Sequence, residues 1–391
     1  MIFNLKPPRN YFSGVSLSVQ EFQLIGVWLF TKLTFVLILF YFHSPKFSVE
    51  QTLLQWDAQW YLQIAEKGYI FASIQDFSPV AFMPGYPLLA KLINLLVNNY
   101  FYSLLMITTL SSLLAVILLY KLLINDFDQK TAYYSVLLLL VSPLSLVFSI
   151  PYTEALFLFL SVIFFLLLSK NKFWWAAFTL NLLMITRNVG VIYLVPLIYI
   201  LIKKRMILSY RGFGAILLSL VSLVALMIYS YQSFSRGLIF LQAHTAWNRI
   251  WQPFPMMIIN QFRQLFNIYI EYGWTAIFHP EWLWMHYPII IDGFLIVLSV
   301  VLLIKDRLLL PSIYRWFALI YVFIVLSYPP ALNDQNYIPP TLSAVRALTI
   351  CFPVFVLIYK RCHQKIIPLL IFSFILHTGY LALYVNHFYI P

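Results

Sequence analysis

Residues 153–172 read TEALFLFLSVIFFLLLSKNK. From Ala155 to Leu168 only Ser161 is polar, and the run is bracketed by Glu154 at one end and by Lys170 and Lys172 at the other. A helix of roughly 17–25 predominantly apolar residues spans the hydrocarbon core of a bilayer. Such a helix satisfies all of its own backbone polar groups there. Applied outward from this stretch, the same template gives about eleven spans. They cover residues 23–43, 101–123, 131–150, 153–169, 173–187, 189–203, 213–231, 288–304, 314–328, 345–359 and 366–385. The expected fold class is an all-α membrane protein, a polytopic helical bundle with amphipathic helices in its outer loops.

Composition agrees. The chain is 62% hydrophobic and 10% charged, where a soluble domain is about half apolar and a quarter charged. Aromatic residues reach 19%, and rings with a polar tip are stable at membrane interfaces. The net charge of +12 would suggest a nucleic-acid partner in a soluble protein. Here no basic face or aqueous domain is present to carry one, so the expected partner is the lipid bilayer and no nucleic acid. Cys351 and Cys362 lie roughly 16 Å apart along a helix, too far for a disulfide. The first apolar run, Phe22 to Phe42, lacks the small-residue cleavage site of a signal peptide and reads as a retained helix.

Orientation follows from the basic residues. With the N-terminus inside, the inner segments carry roughly twice as many Lys and Arg as the outer ones, as the positive-inside rule requires. Two outer segments are then long, 44–100 and 232–287, and all inner loops are short. One membrane domain covers 1–391, and an active site would have to face outward, where there is enough non-spanning chain to build it. Tyr86 to Val97 is too short to cross and reads as re-entrant or interfacial.

The first outer segment contains Gln55-Trp56-Asp57-Ala58-Gln59-Trp60-Tyr61-Leu62-Gln63-Ile64-Ala65-Glu66-Lys67-Gly68. As a helix it places Trp56, Trp60 and Ile64 on one face, with Asp57 and Tyr61 on the neighbouring one and Gly68 as C-cap. It would lie on the outer membrane surface. Asp57 is then a carboxylate at the boundary between lipid and water, suited to be a general base for a hydroxyl; the alternative is a solvated or helix-capping aspartate. The prolines and glycine of Phe82-Met83-Pro84-Gly85-Tyr86-Pro87 force an irregular chain before an apolar helix.

Charges at membrane depth are costly and are paired or functional. In Tyr152-Thr153-Glu154, Glu154 is either such a site residue or an acid in the first turn of a helix capped by Thr153. Arg187, in Arg187-Asn188-Val189-Gly190, requires an anion, either Glu154 or a phosphate. In the second outer segment His244, Trp247 and Arg249 are candidates, Trp247 as a platform and Arg249 as a phosphate clamp. Arg346 begins a later span at its outer end. Asp126-Phe127-Asp128 spells the D-x-D of nucleotide-sugar enzymes but falls in a short inner loop and reads as a turn. His244, His279 and His286 are too irregularly spaced for a zinc site. No clustered ligand set is visible, so neither metal nor other cofactor is expected.

Taken together, Trp56-Asp57-Ala58-Gln59-Trp60-Tyr61 with Gly68-Tyr69, Phe82 to Leu88, Tyr152 to Phe157, Arg187 to Gly190, Trp247-Asn248-Arg249 and Ser343 to Pro353 resemble, in order, the motifs of the PIG-V-like mannosyltransferases of the GT-C superfamily. The resemblance implies a GT-C fold with a periplasmic or lumenal site and a polyprenyl- or dolichyl-phosphate donor, typically of mannose. It further implies inversion at the anomeric carbon and Asp57 as catalytic base, with Glu154 in the same site. Trp56, Trp60, Tyr61 and Tyr152 fall within the matching motifs and are expected to contact substrate. Arg187, Arg249 and Arg346 are physical candidates for the donor phosphate. The acceptor would be a glycan, glycolipid or protein. The chain reads as a bacterial or archaeal plasma-membrane member, or an endoplasmic-reticulum one if eukaryotic. Two rival readings are a flippase or transporter of lipid-linked sugars and a non-catalytic subunit of a glycosylation complex.

Overall fold

The computed structural model describes residues 17–71, 73, 78–247, 251–273, 280–327 and 344–387. Among these residues there is helix and no strand, and the fold is that of a helical membrane protein. In chain order the first helices are α1 (Val19–Phe42), α2 (Val49–Leu53), α3 (Asp57–Lys67), α4 (Gly85–Val97), α5 (Tyr100–Asp126) and α6 (Gln129–Leu140). Then follow α7 (Glu154–Ser169), α8 (Phe173–Thr186), α9 (Leu194–Lys203), α10 (Tyr210–Ser219), α11 (Val221–Phe234) and α12 (Ile239–Gln242). The last are α13 (Pro255–Tyr272), α14 (Pro280–Lys305), α15 (Ser312–Leu326), α16 (Ala344–Ile350), α17 (Phe352–Cys362) and α18 (Ile366–Val385). Four stretches among the described residues are long and apolar enough to cross a membrane: Val19–Phe42, Tyr100–Asp126, Tyr210–Phe234 and Phe352–Val385. Gly85–Val97, Glu154–Ser169, Phe173–Thr186, Asn188–Lys203 and Ser312–Leu326 are shorter apolar helices.

Local chemistry sets the boundaries. Ser18 and Glu21 form a reciprocal capping box that starts α1, and Glu21 also pairs with Lys121 of α5 at 3.3 Å. Asn99 caps α5, and Asp128 caps α6 through the Thr131 backbone N–H at 2.9 Å. With Asp126 accepting from the Tyr314 hydroxyl at 2.8 Å, the two acids of the D-x-D serve a helix end and an interhelical bond, in keeping with the turn reading.

The stretch that opened the sequence reading lies at the centre of the bundle. Eleven of the sixteen residues of α7 are buried, and it packs against α5 and α8. Phe165 meets Tyr314, Phe317 and Phe352 edge-on, and Ser161 accepts from the Tyr193 hydroxyl at 2.6 Å. Polarity is thus reversed relative to a soluble protein only at the surface. Leu29, Phe30, Leu33, Val36, Leu37 and Phe40 of α1 are exposed, as a helix lying against lipid requires.

Several expected spans differ in detail. The span at 131–150 is α6 followed by a 3-10 segment, Pro143–Phe148, because Pro143 has no N–H to continue an α-helical ladder. The span at 345–359 breaks at Cys351 between α16 and α17, with Pro353 in the first turn of the latter. Residues 213–231 are interrupted at Leu220. Within residues 232–287, expected as an outer segment, lie α12 and α13, and α14 begins at Pro280. Gly68 is the C-cap of α3, with φ +78 and its N–H on the Ile64 carbonyl.

Candidate functional site

Asp57 is the first residue of α3. The chain reaches it through a corner in which Trp56 has φ 54, a conformation that costs a bulky side chain of order 1–3 kcal/mol and that concentrates at functional sites. The corner is tied down from the far end of the chain. Gln55 Nε2 donates to the Thr52 and Tyr384 carbonyls at 2.6 and 3.0 Å. The Tyr384 hydroxyl donates to the Leu53 carbonyl at 3.0 Å. An acid in the first turn is also favoured by the helix dipole.

Four charged side chains from four elements meet beside this corner. Arg346 of α16 donates through Nη2 to Asp57 Oδ2, and its Nε lies 2.9 Å from Glu154 Oε1. Arg187, at the end of α8, donates through Nη1 to the same Glu154 oxygen and to Thr153 Oγ1 at 2.9 Å. The Arg346 guanidinium stacks 4.8 Å above the Tyr152 ring. Two acids balance two arginines, which is the condition for placing so much charge away from water. Burial divides the four. Glu154 is 1% exposed and Arg346 7%, whereas the side chains of Asp57 and Arg187 keep 25% and 16%. Asp57 and Arg187 are therefore the more open members of the cluster. Glu154 stands behind the arginines and holds them side by side.

This geometry resolves the pairing left open by the sequence: the anion beside Arg187 is Glu154. Thr153 occupies the N-cap position of α7 but makes no capping hydrogen bond; its hydroxyl is engaged by Arg187 and, at 3.4 Å, by Tyr61. Tyr61 is buried. Burial, reinforced by the Asp57 charge, pushes its phenol well above the ordinary value, so it stays protonated. Tyr61 packs edge-on against Phe82 and Tyr86, each at 5.3 Å. Trp60 stacks on Phe82 at 6.1 Å, and Trp56 is exposed at the corner. Trp56 and Trp60 thus line the outside of the cluster, whereas Tyr61 and Tyr152 form its inner wall.

The placement of Arg187 depends on two close backbone approaches. A Cβ on Gly190 would stand 2.4 Å from the Leu183 carbonyl oxygen, and one on Gly85 would stand 2.8 Å from that of Ile185. Glycine lets the Phe82-to-Tyr86 segment and the turn after Arg187 both press on the last turn of α8. The segment after α11 joins here too. Asn188 Nδ2 donates to His244 Nε2 at 2.6 Å, and Ile239, Phe240 and Ala243 bury themselves against Val80, Ala81 and Met83. His244 thereby contacts the residue that follows Arg187 in the chain. The Trp247 side chain and Arg249 lie outside the described residues, as do His279 and Ser343, and the His286 side chain likewise.

Residues that sequence reading did not single out also shape the site. Gln55 and Tyr384 fix the Asp57 corner, and Lys32 of α1 donates to the Phe148 carbonyl and to Ser149 Oγ, the latter at 2.9 Å. That lysine anchors the segment leading to Tyr152. A lysine inside an otherwise apolar span was the available signal, since such a residue is seldom without a partner. Comparison of the chain with protein-family models and with curated proteins finds no match.

Proposed function

We propose that the chain is an inverting glycosyltransferase, a mannosyltransferase of the GT-C type, that crosses the membrane about eleven times with its N-terminus inside. It takes a sugar from a polyprenyl- or dolichyl-phosphate donor at the outer face. The observation that carries this reading is the convergence of Asp57, Glu154, Arg187 and Arg346. They come from four elements spread from residue 57 to residue 346, and all are outer-end residues in that topology.

In this mechanism the donor phosphate lies against the Arg187 and Arg346 guanidinium groups, which match phosphate oxygens in pairs. The phosphate is a competing anion for Arg346, and as it binds, Asp57 is released from that arginine. The acceptor hydroxyl attacks the anomeric carbon from the face opposite the phosphate. Its oxygen forms the new glycosidic bond while the bond from the anomeric carbon to the phosphate oxygen breaks, and its proton passes to the Asp57 carboxylate. The electron pair leaves on the polyprenyl phosphate, whose growing negative charge the arginines stabilise. A flippase has no use for a proton acceptor at Asp57. Transfer of mannose from a polyprenyl-phosphate donor by the purified protein in lipid should be lost in Asp57→Ala; a variant that turned over at the wild-type rate would remove Asp57 from the mechanism.

A further inference from the structure

A second concavity lies on the side of α3 facing away from Tyr61. It is a cavity of about 510 Å³ between α2 and α3, within the range of about 300–1,000 Å³ typical of small-ligand sites. Leu54 and Leu62 contribute its apolar surface, and Gln51, Gln59 and Gln63 contribute amides. The corner that joins its two walls is the 54–57 turn carrying Asp57.

We propose that this cavity is the acceptor subsite and that it takes an uncharged, hydroxyl-rich carbohydrate. The inference rests on the glycosyltransferase reading for its role, and on the cavity alone for its ligand. Each glutamine offers an acceptor oxygen and a two-hydrogen donor, the pairing that adjacent sugar hydroxyls require. Gln59 and Gln63 are one turn apart on α3, and neither side-chain amide has a hydrogen-bond partner among the described residues. Gln51 uses its oxygen on the Ser48 N–H at 2.8 Å and keeps its amide hydrogens for a ligand. The formal charges around the cavity are those of Glu50, Glu66 and Lys67, one net negative. An anionic headgroup or a second phosphate is disfavoured by that balance. The two sides of α3 therefore differ in charge: the arginines gather on the Tyr61 side and amides line the other, with the 54–57 corner, which carries Asp57, between them.

The test is saturation-transfer NMR on the purified chain in lipid nanodiscs, with methyl α-mannoside and a mannotriose as probes and inositol phosphate as the anionic comparison. Wild type and Asp57→Asn should both transfer saturation to the neutral sugars, and a Gln59→Ala/Gln63→Ala variant should lose at least tenfold in affinity. Gln59 is exposed and Gln63 half-buried, and an unchanged thermal transition would show the variant folded; Glu66→Gln, which keeps the side chain's size, supplies a second, milder perturbation. In turnover, the double variant should raise the acceptor KM about tenfold and leave the donor KM unchanged. Equal sugar binding by wild type and the double variant, no binding by wild type, or preferential binding of inositol phosphate would each overturn the assignment. Sugar binding that depends on Gln59 and Gln63, with no transfer by wild type, would keep the subsite and reject the transferase.

Discussion

Glu154 decides how the charged cluster behaves. Its one carboxylate oxygen meets both Arg187 and Arg346, and its other oxygen has no hydrogen-bond partner among the described residues. Removing the charge leaves two buried or half-buried cations with a single acid, Asp57, to balance them. Breaking a buried pair from one side costs roughly 3–5 kcal/mol. Glu154→Gln should therefore lower equilibrium unfolding stability in mixed micelles by about that amount, and it should abolish transfer without touching the acceptor. A loss below about 1 kcal/mol would mean the arginines find their counter-charge elsewhere. The members of this cluster were legible in the sequence, because a charge among apolar residues is conspicuous. Their pairing was not. Asp57 and Arg346 are separated by 289 positions, and which carboxylate meets which guanidinium depends on how each helix is rotated, which hydropathy does not encode. Gln55 and Tyr384 were hidden for the same reason: amides and phenols are common at an outer membrane boundary, and only the fold joins these two.

At the level of elements, the site is positioned by interruptions rather than by the long helices. The break at Cys351 separates α16, with Arg346, from α17, and the 3-10 segments Pro143–Phe148 and Asn188–Tyr193 flank Glu154 and Arg187. A hydropathy window reports how apolar a segment is, not whether its helix is continuous, so 345–359 and 131–150 read as single spans. Pro143 and Pro353 were the visible hints. Gly190 tests this level directly. A methyl group there meets the 183–184 peptide group, its carbonyl oxygen and carbon and the Met184 nitrogen, and backbone cannot rotate away as a side-chain tip can. Gly190→Ala should destabilise the protein by about 1–3 kcal/mol and lower kcat by displacing Arg187, as read by thermal denaturation together with turnover at saturating donor. Unchanged stability and kcat would show that the α8 terminus yields without consequence.

For the whole molecule, the account requires the four charged residues and both long outer segments to share one side of the membrane. Lys46 and Lys130 are exposed and fall on opposite sides of that topology. With Cys351 and Cys362 replaced, a membrane-impermeant thiol reagent should label Lys46→Cys in intact cells and Lys130→Cys only after permeabilisation. The reverse pattern would put the cluster on the inner face. The class of helical membrane protein was easier to read than the way the helices pack, since apolar length follows from composition, whereas the packing of α7 against α5 and α8 follows from which faces match. The most direct measurement of the central claim is sugar transfer in sealed proteoliposomes supplied with radiolabelled polyprenyl-phosphate mannose and a lipid and glycan extract, comparing wild type with Asp57→Asn. The account predicts that label enters a new product with wild type alone. Label that crosses the bilayer equally with both proteins and enters no product would contradict it, and would make the chain a carrier of lipid-linked sugar.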